Sequence, residues 1–241
     1  MKLGFIIFFL SFYSVSYGQD FKSEQLKYSR VRTAFDEKWD ELSALITAKG
    51  FDPDRFKIFI RAFKTEQKLE VWVSSYEKEA FVFLKEYKIV MSSGSLGPKR
   101  KQGDLQVPEG FYKIDRFNPV SNFYLSLGIN YPNQSDRTLG SKQLGGDIYI
   151  HGSNVTIGCM PLTDEKIKEL YVLAVQAKNA GQSNIYIHIF PFEFKQTKVE
   201  EYKSNNNYSL WKNLKEGYDY FNQFKKIPYI QIAKDGSYNV K

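Results

Sequence analysis

One cysteine, two histidines and three methionines are all that this chain of 241 residues holds of its thiol, imidazole and thioether side chains. A single cysteine excludes an intramolecular disulfide, and two histidines with no Cys/His cluster argue against a zinc site. Neither a metal nor a cofactor is expected. Repeats and low-complexity segments are absent. The net charge of +7 is never gathered into a block of five like charges, so it reads as solvated surface and not as a nucleic-acid footprint. Beyond the first 18 residues no stretch is apolar enough to cross a bilayer.

Those first residues have a pattern of their own. Lys2 supplies a positive end, Leu3 to Val15 is mostly apolar, and Ser16-Tyr17-Gly18 places small residues at both cleavage-determining positions. Residues 1–18 therefore read as a secretory signal peptide, with Gln19 as the new N-terminus and the periplasm as destination. The run is short and is interrupted by Ser11 and Ser14, so an uncleaved N-terminal membrane anchor is the alternative. Export itself argues against nucleic acid as a partner. It also makes the lone thiol notable.

In the mature chain, Val31, Phe35, Trp39, Leu42 and Ile46 recur at steps of three and four, which predicts a helix or helical pair over 19–50 that stops at Gly50. Phe56–Phe63 and Leu69–Ser74 alternate as a hairpin, and Ala80–Leu84 and Tyr87–Met91 read as two further strands. Ser92–Pro108 is a long loop rich in glycine and lysine. Phe111–Phe117 is a strand, Phe123–Leu127 is short and aromatic, and Asp136–Gly145 is a second loop carrying Arg137 and Lys142. Asp164–Ala177 is amphipathic, and Asn184–Phe190 alternates with Ile185, Ile187 and Ile189 on one side and His188 on the other. Residues 200–241 form a C-terminal extension, with a helix around Leu210–Phe224 and a hairpin turning at Asp235-Gly236.

The organising stretch is Leu144 to Cys159, which holds the only cysteine and one of the histidines. Asp147–His151 alternates as a strand, with Ile148 and Ile150 inward, and Gly152 breaks it. Gly158 lets the backbone approach a ligand just before the thiol. Thr163 reads as the N-cap of the following helix, which puts Cys159 just ahead of a positive helix end that favours thiolate. Cys159 as nucleophile and His151 as base is the chemistry this arrangement supports. A buried inert thiol is the plain alternative, and His188 is the competing base. The Gly158 and Cys159 amides are candidates for the oxyanion hole.

His151-Gly152 followed by Thr156-Ile157-Gly158-Cys159 resembles the L,D-transpeptidase catalytic domain, the YkuD-like family, whose hallmark is a strand ending His-Gly and then Ser/Thr-x-Gly-Cys. Ser93 to Lys99 and Gly103 to Tyr112 look like the family's Gly-x-x-x-x-x-Pro-x-Gly-x-Tyr region. The spacing from His151 to Cys159 is short, Ile157 stands where many members have a second histidine, and no arginine follows the cysteine. These features are similar to a shorter-loop, YafK-like branch. The resemblance implies a mixed α+β, β-rich, β-sandwich-like catalytic domain over 51–199, between the helical segment and the C-terminal extension. It implies cell-wall biogenesis and cell shape as the setting, with peptidoglycan stem peptides as substrate. A backbone carbonyl would orient His151, and Lys99, Tyr112, Arg137, Ser153 and Thr156 would line or contact the stem. The acceptor amine would come from another stem or from a wall-linked protein lysine. A hydrolase of the same substrate, either an L,D-carboxypeptidase or a peptidase releasing wall-linked protein, is the second reading, and an inactive wall-binding module the third.

Overall fold

Two helices open the structure, α1 (Gly18–Gln25) and α2 (Ser29–Ala48), the pair that the apolar stripe predicts. The computed structural model describes residues 18–195 and 199–241, so the expected signal peptide, Gly18 apart, lies outside the described residues. Val31, Phe35, Leu42 and Ile46 are buried. At the end of α2, Gly50 takes φ +80, and the amides of Gly50 and Phe51 return to the Thr47 and Ile46 carbonyls. A glycine C-cap reverses a chain in this way without a Cβ penalty.

Eight strands follow: β1 (Lys57–Phe63), β2 (Lys68–Ser74), β3 (Val82–Lys88), β4 (Gly110–Asn118), β5 (Ser126–Ile129), β6 (Tyr149–His151), β7 (Met160–Pro161) and β8 (Ile185–Phe190). They pair in one continuous order, β3-β2-β1-β8-β4-β5-β6-β7. The β1–β8 and β6–β7 pairs are parallel and the rest antiparallel. Alternation divides the faces. Ile58, Ile60 and Ala62 of β1, Ile185, Ile187 and Ile189 of β8, and Ile150 of β6 join a core with helix α4 (Asp164–Asn179). That helix is buried on nearly every side from Ile167 to Ala177, because α1 and α2 close over its outer face.

The opposite face is covered in part by α5 (Tyr208–Phe224) and by the hairpin β9 (Ile230–Ile232) and β10 (Tyr238–Val240). Phe59 meets Phe221 at 4.8 Å between ring centroids, and Phe111 meets Tyr238 at 4.8 Å. The mixed α+β, β-rich architecture with a helical start and a helix-plus-hairpin end is the one expected.

Three local expectations differ. Residues 80–91 hold one strand, β3, not two, with Lys85 and Glu86 in its middle. An edge strand tolerates such charges, and Lys85 reaches across to Glu169 of α4. The start of the expected loop at 136–145 lies in a short helix, α3 (Gln134–Leu139), nucleated by a reciprocal capping box between Asn133 and Asp136. Thr163 is the N-cap residue of α4 by position, its carbonyl accepting from the Ile167 amide at 3.0 Å, but it sits at φ +79, its side chain makes no cap, and its own amide goes to the Ser153 carbonyl.

Candidate active site

Sheet register positions the two candidate side chains, Cys159 and His151. In the parallel β6–β7 pair, Ile150 faces Met160 and His151 faces Pro161. Cys159 immediately precedes Met160, so it falls level with Tyr149, two residues before His151. Side chains two apart share a face, which puts Cys159 and His151 on the same side of the sheet, away from α4. Strands lie about 4.8 Å apart and residues two apart about 6.6 Å, so they are diagonal neighbours, about 8 Å between Cα atoms. The tether Gly152 to Gly158 closes this diagonal.

Cys159 is half-buried. Its Sγ donates to the Asp147 carbonyl oxygen at 3.7 Å and accepts from the Tyr149 amide at 3.4 Å. Among the described residues no hydrogen bond joins it to His151. Burial pushes the thiol's pKa up; the Tyr149 amide pulls it down, the Asp147 carboxylate raises it, and the Lys99 ammonium lowers it. The expected help from a helix end is absent, because Met160 to Thr163, including β7, separate the thiol from α4.

Thr156 holds the cysteine's backbone. Its Oγ1 accepts from the Cys159 amide at 2.8 Å and the Gly158 amide at 3.3 Å, and donates to the Cys159 carbonyl at 2.7 Å. The two amides expected to form an oxyanion hole are therefore already engaged. The amide that does point at sulfur is that of Tyr149, which reading the cysteine's own neighbours could not reveal. Gly158 adopts φ +120, and a Cβ there would lie 3.1 Å from the Gln106 carbonyl oxygen, so the loop before β4 rests directly on this glycine. Ile157, at the family's second-histidine position, is 79% exposed.

His151 is buried, stacked on Phe123 at 4.5 Å, with Nδ1 2.5 Å from the Gly152 carbonyl oxygen. A carbonyl only accepts, so Nδ1 carries the proton and Nε2 is left with a free lone pair. Burial pushes the imidazole's pKa below its ordinary value, the Gly152 bond opposing this. Gly152 is confined: a Cβ would stand 2.5 Å from Asp164 Oδ1 and 2.6 Å from the Phe123 carbonyl oxygen. His188 is not part of this constellation. It lies on β8, four strands from β7, between Phe59 and Phe111.

The remaining expected residues are dispersed. The Lys99 ammonium is buried against Asp104 at 2.7 Å and the Lys101 carbonyl, pinning its own loop. Tyr112 is buried with its hydroxyl on Asp136 at 2.9 Å, which Arg100 also holds at 2.9 Å. Arg137 is exposed on α3, in a groove beside Asn130 and Ile232. Ser153 sits at φ +63 and gives its amide to Asp164 Oδ1 at 2.8 Å. Sequence reading missed Arg116, which grips the Asp147 carboxylate at 2.9 Å and lies over the Tyr149 ring. Its partner Asp147 is outside the strand at φ +57, and that twist aims its carbonyl at sulfur.

Comparison with known proteins draws on the same residues. The YkuD L,D-transpeptidase catalytic-domain model matches residues 57–187, from the start of β1 into β8, and so contains both His151 and Cys159. The chain is 37% identical over 185 residues to a protein provisionally named L,D-transpeptidase YafK in Escherichia coli K12 and O157:H7, covering 76% of this chain and 73% of the relative. Two crystal structures of the helical cell shape determining protein Pgp2 from Campylobacter jejuni, one of a point mutant, also align. The mutant gives a TM-score of 0.46 at 22% identity, covering 70% of this chain, which spans 57% of that one. The other gives 0.46 at 20% identity, covering 75% and 74%. With the match running through the strand that ends in His151-Gly152 and on through Cys159, the chain belongs to the YkuD family of L,D-transpeptidase catalytic domains.

Proposed function

We propose that this protein is an exported cysteine acyltransferase that remodels peptidoglycan stem peptides, with Cys159 as nucleophile and His151 as general base. The observation that carries the reading is the diagonal placement of Cys159 and His151 on one sheet face, with the imidazole's Nδ1 committed to the Gly152 carbonyl. The resting pair is neutral. His151 Nε2 takes the thiol proton as Sγ adds to the carbonyl of the L-centre that precedes a D-residue. The C–N bond then breaks, the proton passes to the departing amine, and a thioester remains. An amine from a second stem or a protein lysine accepts the acyl group and releases the thiol. The Tyr149 amide is the donor placed to receive developing negative charge near sulfur. Lys99 acts here by holding the Ser92–Pro108 loop, and Arg137 lies in the groove beside α3, where a stem carboxylate would meet it.

Hydrolysis of the same thioester is the second reading, supported by the exposed Ile157 in place of a second histidine. Mass spectrometry of muropeptides incubated with the protein separates the two. New cross-links mean transfer, and shortened stems or released protein mean hydrolysis. Cys159→Ala and Cys159→Ser should abolish either product while leaving the circular dichroism spectrum intact. Activity surviving in both variants removes the nucleophile assignment, and a wild-type protein that leaves muropeptides unchanged supports the inactive wall-binding module.

A further inference from the structure

A second site lies on the same sheet face, where β4 and β8 meet the C-terminal hairpin. A cavity of about 410 Å³ is lined there by Phe111, Tyr186, His188, Asn130 and Tyr229, among others. It shares Tyr186, Ile227 and Tyr229 with an adjoining groove of about 580 Å³, which adds Tyr76 and Tyr220. Such volumes suit a small organic guest. His188 is 1% exposed, and its Nδ1 has no hydrogen-bond partner. A buried polar atom left unpaired requires an explanation.

We propose that this tyrosine-lined groove binds the glycan strand of the wall, a chain of β-linked N-acetylated amino sugars; the proposal rests on the wall-directed reading above. The walls are flat aromatic faces with polar tips, which suit sugar rings that are apolar on their faces and hydroxylated at their edges. Asn130 and Asn184 have their amide oxygens engaged by the Lys113 amide at 2.7 Å and the Lys113 ammonium at 3.0 Å, which leaves their NH2 groups to a guest. The one side-chain carboxylate among the described residues that line the groove, Glu79, is paired with Lys226. Among these side chains no uncompensated negative charge therefore repels an uncharged or weakly anionic polymer. His188 supplies a ring nitrogen to an acetamido or hydroxyl hydrogen.

The groove also leads toward the thiol. Asn130, Asn133 and Ile232 continue it beside α3, where Asp115 lines the surface. Asp115 contacts Arg116, Arg116 holds Asp147, and Asp147 touches Cys159. Four strand spacings separate β8 from β7, about 19 Å. An extended peptide of about five residues spans at most about 18 Å. Such a stem falls just short of the thiol, so a glycan seated on the tyrosines anchors the strand while the stem of a neighbouring sugar unit, nearer β7, meets the cysteine.

The test uses the full chain carrying Cys159→Ala, so that binding is read without turnover. The probe is the β-1,4-linked tetramer of N-acetylglucosamine, followed by NMR of the His188 imidazole nitrogens and by calorimetry. We expect saturable shifts at His188, and about tenfold weaker binding in the added Tyr229→Ala variant, Tyr229 being 66% exposed and so removable without disturbing the core. Absence of His188 shifts at millimolar tetramer overturns the proposal. So do equal affinity in the Tyr229→Ala protein, and shifts at His188 driven by a sugar-free stem peptide alone. Acyl transfer or hydrolysis on sugar-free stem peptides by the wild-type protein is a separate readout, so failure of the enzymatic reading and failure of the glycan site are told apart.

Discussion

At the scale of single residues, burial disfavours charge on both members of the proposed pair, lowering the pKa of His151 and raising that of Cys159. Asp147 contributes its carbonyl to the thiol proton, while its carboxylate raises the thiol's pKa. Asp147→Asn keeps the backbone and removes the negative charge. The pH midpoint of Cys159 alkylation should therefore move down, and an unchanged or higher midpoint would contradict the assignment of that carboxylate. His151 must be unprotonated to act as base, and burial depresses its pKa. The acid limb of kcat/KM should thus lie below the ordinary imidazole value of about 6.5. His151→Ala should lower the rate about 10²–10⁴-fold and abolish that limb. That Cys159 and His151 lie near one another was legible from Gly152, which ends the strand, and from the short tether. What was not legible was where each amide points. Thr156, a residue marked only as substrate-contacting, takes the Gly158 and Cys159 amides, and the Tyr149 amide faces sulfur because β6 and β7 are parallel, a pairing the sequence does not announce.

At the scale of elements, Glu109 ties four segments together. Its carboxylate accepts from the Lys64 ammonium at the end of β1 at 2.9 Å, from the Gly97 amide of the long loop at 2.8 Å, and from the Trp211 indole of α5 at 2.8 Å. Lys64 spends its other donors on the Gly97 and Val107 carbonyls. Glu109→Ala strands a buried ammonium, which should cost about 3–5 kcal/mol in urea denaturation. The pair Glu109→Leu with Lys64→Met removes both charges and should recover part of that loss, the Gly97 amide and Trp211 indole staying unpaired, whereas an additive loss would mean that packing, not charge, is what Glu109 supplies. Periodicity found most elements because their apolar faces are regular, as in β1, β8 and α4. It failed at β3, where Lys85 and Glu86 interrupt the pattern on an edge strand whose partner charge, Glu169, is distant in sequence. It failed also at α3, a helix too short for periodicity, though Asn133 and Asp136 carry the cap spacing that reveals it.

At the scale of the whole molecule, stability should depend on pH through His188. Burial holds its pKa down to about 3 from an ordinary 6.5, with Arg61 adding to the effect. The unfolded chain then binds a proton that the folded chain refuses between these values, so stability present above pH 6.5 is lost as pH falls toward 3. His188→Phe should flatten the dependence of unfolding free energy on pH in that window by about 1.4 kcal/mol per pH unit relative to wild type. Parallel slopes for the two proteins would show that the imidazole is protonated in the folded state. The C-terminal helix and hairpin, placed by the sequence as an extension, supply part of that burial, since Phe221 and Tyr238, with Phe111, help enclose the sheet face on which His188 sits.

The sheet's last strand bears on how a peptide can approach the thiol. β7 has only two residues. Its outward carbonyl, on Pro161, is taken by the Val90 amide arriving from beyond β3 at 3.0 Å, and the proline has no N–H to offer. Backbone ladder pairing, by which many peptidases grip an extended chain of L-residues and align it whatever its side chains, is closed at this edge. A ligand must instead lie across the sheet face and be recognised by its substituents. That mode is indifferent to the alternating chirality that would disrupt a ladder, so strand-mimetic inhibitors of L-configuration should gain nothing here over ligands that follow the face.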